Sequence, residues 1–587
     1  MERPSLEEAE PLVIDEPQAK NASKSKVYLF MLTLSLGGLQ VVWSVQHSCM
    51  SPYLLSLGMS KALLSIVWIA GPLTGALVQP YIGIRSDNCR TRWGRRKPFM
   101  VFGGGLTVFC LLSLAWLREI VGLFAGVFGA DNESDGVKVV VILGAMVLVY
   151  CQDFAINTVQ AGIRAFIVDN APWHQQKVAA AWASRVTGAG SILGYSLGLM
   201  DLPKLLPLFG DTQMKVLCVI ASLSLGITLL ISCTYIKEEI PQDEPKREER
   251  HSLLIQLLST ISSATQLPAR TRQVFAIQFA SWLGWFSFLF YATTYIGQLY
   301  VDPIFDNNRN LTNEEIDEAW DHATRIGTYA LFWNAIVSFA ANILLPLFVR
   351  SEQHPTPSIR TGVNYNSLHN LRHKLLASLS RVISDPGLIQ IPGLTLRRLW
   401  LASHVLFAIC MFSTFVISST QGASVMTGFI GISWAVTTWV PFAIISTEIA
   451  QRDATQPSQE IYSHPSSTEF GDRQSTSSHF HHQSLHTADN DEGDNENESN
   501  TYNETPSTSQ TSDQTPPQSQ AGTILGLHNV FISVPQIVSS LIGGIIFKFL
   551  QKPRGEPWDT SVAWVMRFGG VAALGAGYFT FMLGEEG

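Results

Sequence analysis

Apolar residues run along this chain in long blocks, each too long for a β-strand and each closed by a polar stretch. Twelve such windows can be marked, at 27–49, 62–84, 98–121, 138–161, 178–200, 214–236, 274–300, 325–349, 399–419, 423–450, 521–549 and 561–583. A helix rises about 1.5 Å per residue, so about 20 apolar residues cross a hydrocarbon core about 30 Å thick. Every backbone N–H and C=O in that medium has to be satisfied within the segment, so the windows predict helices. The expected fold class is an all-α polytopic membrane protein with twelve transmembrane helices. A polar stretch at 237–272 divides the windows six and six, as expected where two six-helix bundles rock about a central site.

The polar stretches differ in charge, and the difference orients the chain, because Lys and Arg stay on the cytoplasmic side. Window 2 is followed by Arg85, Arg90, Arg92, Arg95, Arg96 and Lys97, and window 6 by Lys237, Lys246, Arg247, Arg250, Arg270 and Arg272. Window 8 is followed by Arg350, Arg360, Arg372, Lys374, Arg381, Arg397 and Arg398. On the opposite side 129–136 reads GADNESDG, and 302–323 carries Asp302, Asp306, Glu314, Glu315, Asp317, Glu318 and Asp321 against Arg309. Both termini are thus expected in the cytoplasm. The sequons at Asn132 and Asn310 then fall on the outer face as glycosylation candidates.

The expected organisation is a disordered cytoplasmic leader at 1–26, a first bundle at 27–236 and a central cytoplasmic linker at 237–272. Four helices follow within 273–450, with a basic cytoplasmic loop at 351–397. A low-complexity stretch occupies 451–520, and the last two helices lie within 521–587. The leader has neither the basic start nor the cleavage site of a signal peptide.

Composition narrows the class. The chain is 46% hydrophobic and only 15% charged, against about 25% charged in soluble domains, which argues against a soluble multidomain enzyme. Residues 451–520 hold 12 acidic against 2 basic residues, so that stretch alone is more negative than the whole chain at −8. The remainder is near neutral, and nothing in it suggests nucleic acid. The acidic stretch is rich in Ser, Thr, Gln, Asn and His and reads as a disordered loop, with His479, His481, His482 and His486 part of a solvated tract rather than a metal site. The seven cysteines are scattered singly, at neither zinc nor redox spacing, and read as buried apolar thiols. Gly188, Gly190 and Gly194 lie inside a window with no strand before them, which suits helix packing and not a phosphate cradle. With no P-loop and no cofactor motif, a solute or ion gradient is the expected energy source.

Charge inside a span is costly enough to mark a bundle interior or a wet path, so the polar residues within windows are the functional candidates. In window 4, Asp153, Asn157, Gln160 and Arg164 follow at i, i+4, i+7 and i+11 and share one helical face. In window 1, Gln40, Ser44 and His47 share a face, flanked by Trp43 and Gln46, with Pro52 and Tyr53 beyond. Rings beside amides suit a sugar, whose C–H faces stack on aromatics while its hydroxyls bond to amides. Window 7 holds Trp282, Trp285, Phe286, Phe288, Phe290, Tyr291 and Tyr295 around Thr293 and Thr294, of which about half is expected to be interfacial belt or packing. Window 8 opens through Asp321 and Arg325, spaced to pair along a helix, and passes Trp333 and Asn334.

The loop RSDNCRTRWGRRKPF, from Arg85 to Phe99, resembles the span 2 to 3 signature of the major facilitator superfamily in its glycoside-pentoside-hexuronide cation symporter form. LQVVWSVQHSCMSPYLLSLG, WIAGPLTGALVQPYIG, DFAINTVQAGIRAFIVDNAP, WAVTTWVPFAIIS and NVFISVPQ resemble the sucrose transporter branch, and the likeness extends over essentially every span. It implies the major facilitator fold. It also implies that Asp153 takes and releases a coupling proton, with Asp321 a second acidic candidate, and that Arg164 contacts the sugar. Asn157, Gln160, Gln40, Trp43, Gln46, Arg325 and Asn334 complete the substrate-binding candidates. Asp87, Arg92, Gly94, Arg95 and Arg96 make up the conformational loop. The chain departs from the plant pattern in having Ala292 and Thr294 about Thr293, where plant members tend to carry an acidic pair. Its long acidic loop is more like the fungal members.

The expectation is proton-coupled uptake of sucrose or a related α-glucoside such as maltose, by alternating access, with no cofactor and the proton gradient as energy source. Its partners are the disaccharide, the proton and the lipid bilayer, with a monomer as the default. An uncoupled facilitator, a non-transporting sugar sensor and a sodium-coupled carrier stay open at this point. The plasma membrane is the expected location, with a vacuolar or endosomal membrane as the alternative.

Overall fold

The computed structural model describes residues 23–131, 134–238, 267–349, 390–455 and 517–584. Twelve helices of 18 residues or more run through them, and each window falls on one. They are α1 (Lys26–Val45), α2 (Ala70–Asp87), α3 (Lys97–Ala115), α4 (Asp135–Asn170), α5 (Gln176–Leu199) and α6 (Gln213–Tyr235), then α7 (Ala269–Asn307), α8 (Asn313–Phe348), α9 (Leu396–Ser413), α10 (Thr420–Thr455), α11 (Pro517–Leu550) and α12 (Ser561–Met582). All but α5 belong to segments both long and apolar enough to cross a membrane. α5 has the length, but Gln176, Lys177 and Arg185 dilute its apolar surface.

Local chemistry interrupts three of the windows. α1 continues through a π turn at Gln46–Met50 into Ser51–Ser56. Pro52 has no N–H to offer the carbonyl of Ser48, and a wider turn just before it relieves the broken ladder. A separate helix, Lys61–Val67, capped by Ser60, precedes α2. α3 ends at Ala115 and a new helix, Leu117–Val127, starts beyond Trp116, so window 3 is not one continuous helix.

The main compact unit comprises Met1–Glu448 and Thr523–Gly587, and a smaller one comprises Ile449–Gly522. In the smaller unit the described residues are helical, so regular structure enters the 451–520 stretch at both edges. The rest of that stretch lies outside the described residues, as do most of the leader, most of the linker, most of the 351–397 loop, and Asn132.

Contacts sort the connections into two ends. Lys61, before α2, pairs with Asp559, before α12, and Arg325, early in α8, with Asp201, between α5 and α6. Arg554 between α11 and α12 pairs with Asp317 at the start of α8. Connections 1, 5, 7 and 11 thus share one end, called here the odd end. At the even end Arg95 and Arg96, after α2, reach Asp169 at the close of α4 and Glu238 after α6, while Ser23 before α1 meets His174 after α4. Arg397 in the first turn of α9 donates to the Leu583 carbonyl beyond α12. The helices therefore alternate in direction.

Large apolar side chains stay exposed along the outside of the bundle, as on α4, where Val139, Leu143 and Val147 are exposed. A lipid tail is as apolar as they are, so they lose nothing by facing it. Glycines let helices approach: a Cβ on Gly190 would stand 2.6 Å from the Gly37 carbonyl oxygen, and one on Gly194 would stand 2.5 Å from Ser44 Cβ. One on Gly188 would meet Phe339 at 2.4 Å. The glycine run in α5 thus packs it against α1 and α8, as the sequence suggested. Of the cysteines, Cys49, Cys110, Cys218 and Cys410 are buried and all seven are free; Cys151 is exposed, contrary to expectation.

Candidate functional site

The polar face of α4 turns inward. Val141, Ala145 and Val149 are buried, and the stripe continues into Asp153, Asn157 and Gln160 opposite the lipid-facing valines. Asp153 is fully buried. Gln46 Nε2, in the π turn of α1, donates to its Oδ1 at 2.9 Å, while Asp153 Oδ2 and Gln46 Oε1 have no partner. No Lys or Arg pairs with Asp153 among the described residues.

One turn on, Asn157 donates to Thr74 Oγ1 at 2.9 Å and to the Asp153 carbonyl at 2.9 Å, and accepts from Gln79 Nε2 at 2.7 Å. α2 therefore supplies half of the network, which the sequence analysis left out. Trp43 Nε1 donates to Gln160 Oε1 at 3.2 Å. The Trp43 ring stacks on His47 at 5.5 Å, and His47 meets Phe290 of α7 edge-on at 5.4 Å. Gln152, also missed, is buried beside this face with both side-chain polar atoms unpartnered.

Arg164 ends the stripe, about 16 Å along the axis from Asp153 by helix rise. Its side chain is exposed and forms no hydrogen bond or ion pair among the described residues. Gln40 is half-buried and its side chain makes no hydrogen bond, where Gly190 packs on its Cβ; its carbonyl accepts from Ser44 Oγ at 2.9 Å.

Asp321 and Arg325 do not form the ion pair their spacing suggests. Arg325 Nη1 lies 3.5 Å from Asp201 Oδ2, and Asp321 is exposed and unpaired. The pair is overridden because the loop before α6 brings a second carboxylate to the same end. Asn334 donates to the Thr427 carbonyl at 2.8 Å, binding α8 to α10. The rings of α7 are core: Trp285 packs on Phe407 at 4.3 Å and Phe290 on Trp68 at 4.2 Å. Asn310 is exposed at the odd end.

The conformational loop forms a clamp at the even end. Arg96 reaches Asp87 and Ser86 through its Nη atoms and Asp169 Oδ2 through Nε at 2.7 Å, and Arg95 Nη2 holds Asp169 Oδ1 at 2.8 Å. Glu238 accepts from the Arg96 N–H at 2.8 Å and from the Lys97 N–H at 3.3 Å. Gly94 makes room for it: its φ is +113°, and a Cβ there would stand 2.1 Å from Glu238 Oε2. Arg92 is exposed and outside this clamp, contrary to expectation.

The Major Facilitator Superfamily pattern matches residues 29–306. The general alpha-glucoside permease of Schizosaccharomyces pombe (strain 972 / ATCC 24843) is 34% identical over 591 residues, spanning 95% of this chain and 93% of that protein. The sucrose transport protein SUT1 of Oryza sativa subsp. japonica is 26% identical over 454 residues, spanning 73% of this chain and 77% of that one. A crystal structure of a mutant of the nucleoside transporter NupG matches at a TM-score of 0.50 and 12% identity, over 95% of this chain and 100% of that one, and shows the fold alone. With alternating helices closing around a buried polar face, and a relative 34% identical along 95% of its length, the chain belongs to the Major Facilitator Superfamily and is a multi-pass membrane transporter.

Proposed function

We propose that this chain takes up sucrose or a related α-glucoside such as maltose together with a proton, by alternating access, at the plasma membrane. Asp153 carries the proposal: a fully buried carboxylate with one donor, one orphan oxygen and no cation, on the helix that also bears the accessible, unpaired Arg164. A lone buried charge of this kind persists in a span only where it does work. A proton on Asp153 Oδ2 removes the charge and turns an orphan acceptor into a donor. Trp43 and His47 supply ring faces, and Gln160 and Arg164 supply polar edges, a combination that fits a sugar. The α-glucoside permease and the sucrose transporters among the relatives support the same substrate class.

The test is sugar-induced alkalinisation in a host lacking disaccharide carriers, offering sucrose, maltose and glucose in turn. Wild type takes up protons with an α-glucoside, and an uncoupler abolishes accumulation. Asp153→Asn keeps labelled-sugar exchange but loses alkalinisation and accumulation, and Arg164→Ala loses uptake. Normal accumulation by Asp153→Asn refutes the coupling role; uptake without proton movement in wild type leaves an uncoupled facilitator or another cation.

A further inference from the structure

At the odd end, residues of connections 1 and 11 with Gln298 and Trp320 border an open cavity of about 390 Å³, which shares no residue with the Asp153 site. Small-molecule sites run from roughly 300 to 1,000 Å³, so it has the size of a binding site. Met59 and Lys61 line it from the first half, and Gln298, Trp320, Gln551 and Lys552 from the second. The Trp320 ring, 6% exposed, is the aromatic surface of the wall.

The wall also indicates what the ligand is. Lys61 is neutralised by Asp559 at 2.7 Å and Arg554 by Asp317. Lys552 is the one lining cation not bonded to a carboxylate, and its Nζ donates to the Pro557 carbonyl at 3.0 Å. An aromatic ring, two amides and largely cancelled charge suit a neutral polyhydroxylated ring better than an anion.

We propose that this cavity is a second glycoside site, assembled only while the halves are joined at the odd end. It rests on the reading of the chain as a glycoside carrier. Because residues of both halves form the wall, a sugar bound there favours the joined state and slows the cycle, so uptake declines at high external sugar.

Equilibrium binding of labelled maltose and sucrose to the purified full chain in lipid nanodiscs tests this. Wild type binds two sugars per chain, and Arg164→Ala keeps one. Pro553→Trp, which puts an indole into the cavity from its exposed rim, also keeps one, and loses the decline in uptake at high sugar. Trp320→Ala removes the ring that lines the cavity and weakens the second site about tenfold, the value of one ring-stacking contact. A single wild-type site that vanishes in Arg164→Ala and is untouched by Pro553→Trp and Trp320→Ala overturns the proposal and leaves the transport reading standing. Displacement of the second sugar by inorganic phosphate overturns the glycoside assignment. Absence of both binding and uptake in wild type overturns both readings.

Discussion

Lys61, ahead of α2, and Asp559, ahead of α12, are joined at the odd end through one ion pair of 2.7 Å, with side chains 10% and 3% exposed. Replacing Lys61 with Met keeps most of the stem's packing and removes the charge. Taking one partner from a buried pair costs about 3–5 kcal/mol, chiefly because the other charge is left unpaired. Asp559 retains two backbone donors, Lys552 N at 3.0 Å and Ser561 N at 2.9 Å, so the low end, about 3 kcal/mol, applies. That penalty falls on the joined state alone, since on separation both groups meet water. At about 1.4 kcal/mol per factor of ten, it moves the balance toward the open odd end by about a hundredfold.

The reporter is a cysteine at Met59, which is 3% exposed on the cavity wall, in a chain whose exposed Cys151 has been changed to Ser. Maleimide labelling of Met59→Cys should accelerate by up to about a hundredfold when Lys61→Met is added. The double change Lys61→Met with Asp559→Leu should return the rate to near the parent, because replacing a whole buried pair with apolar groups is close to neutral. Equal labelling with and without Lys61→Met, or a double variant as fast as the single one, refutes the latch.

Three further outcomes follow from the geometry. Burial by itself pushes the Asp559 carboxyl up, but the Lys61 charge and hydrogen bond, with Ser561 and Lys552, outweigh it and hold it below the ordinary carboxylate range. A group lowered in the joined state stabilises that state above its ordinary value and loses the contribution as pH falls through the lowered one; labelling of Met59→Cys, divided by the rate of a free small-molecule thiol at the same pH to remove the change in thiolate fraction, should therefore stay flat from pH 7 to about 4 and rise only below. Gly194→Val forces a Cβ to 2.5 Å from Ser44 Cβ; overpacking of this kind costs about 1–3 kcal/mol and should lower the melting temperature in detergent. Gly105→Ala, with nothing within 4 Å, should not. Arg96→Lys replaces a planar fork that serves Asp87, Asp169 and Ser86 with a point charge; turnover should drop about tenfold while sugar binding persists, and unchanged turnover would refute a conformational role for the clamp.

The spans were legible because hydrocarbon thickness dictates segment length whatever the neighbours are, and even α5, diluted by Lys177 and Arg185, kept enough apolar positions to register. The polar face of α4 was legible for a related reason: Asp153 and Arg164 are too costly in a span to be accidental, and their spacing fixes one face without any knowledge of packing. Partner choice was not legible. Spacing along α8 favoured Asp321 for Arg325, yet the pair forms with Asp201, far along the chain and brought in by a loop of the same parity. Asp169 and Glu238 looked like ordinary helix-end acids, and Thr74 and Gln79 like unremarkable polar residues of α2. Their roles arise when alternating helices bring connections 2, 4 and 6 to one end and set α2 against α4. Parity itself was available from the window count. Loops of like parity share an end, so the cations after window 2 can pair only with acids near even connections, a set that includes Asp87, Asp169 and Glu238 but also others such as Glu239 and Asp243. The same rule sends Arg325 toward acids near odd connections, Asp201 among them, and makes Asp321 one competitor of several.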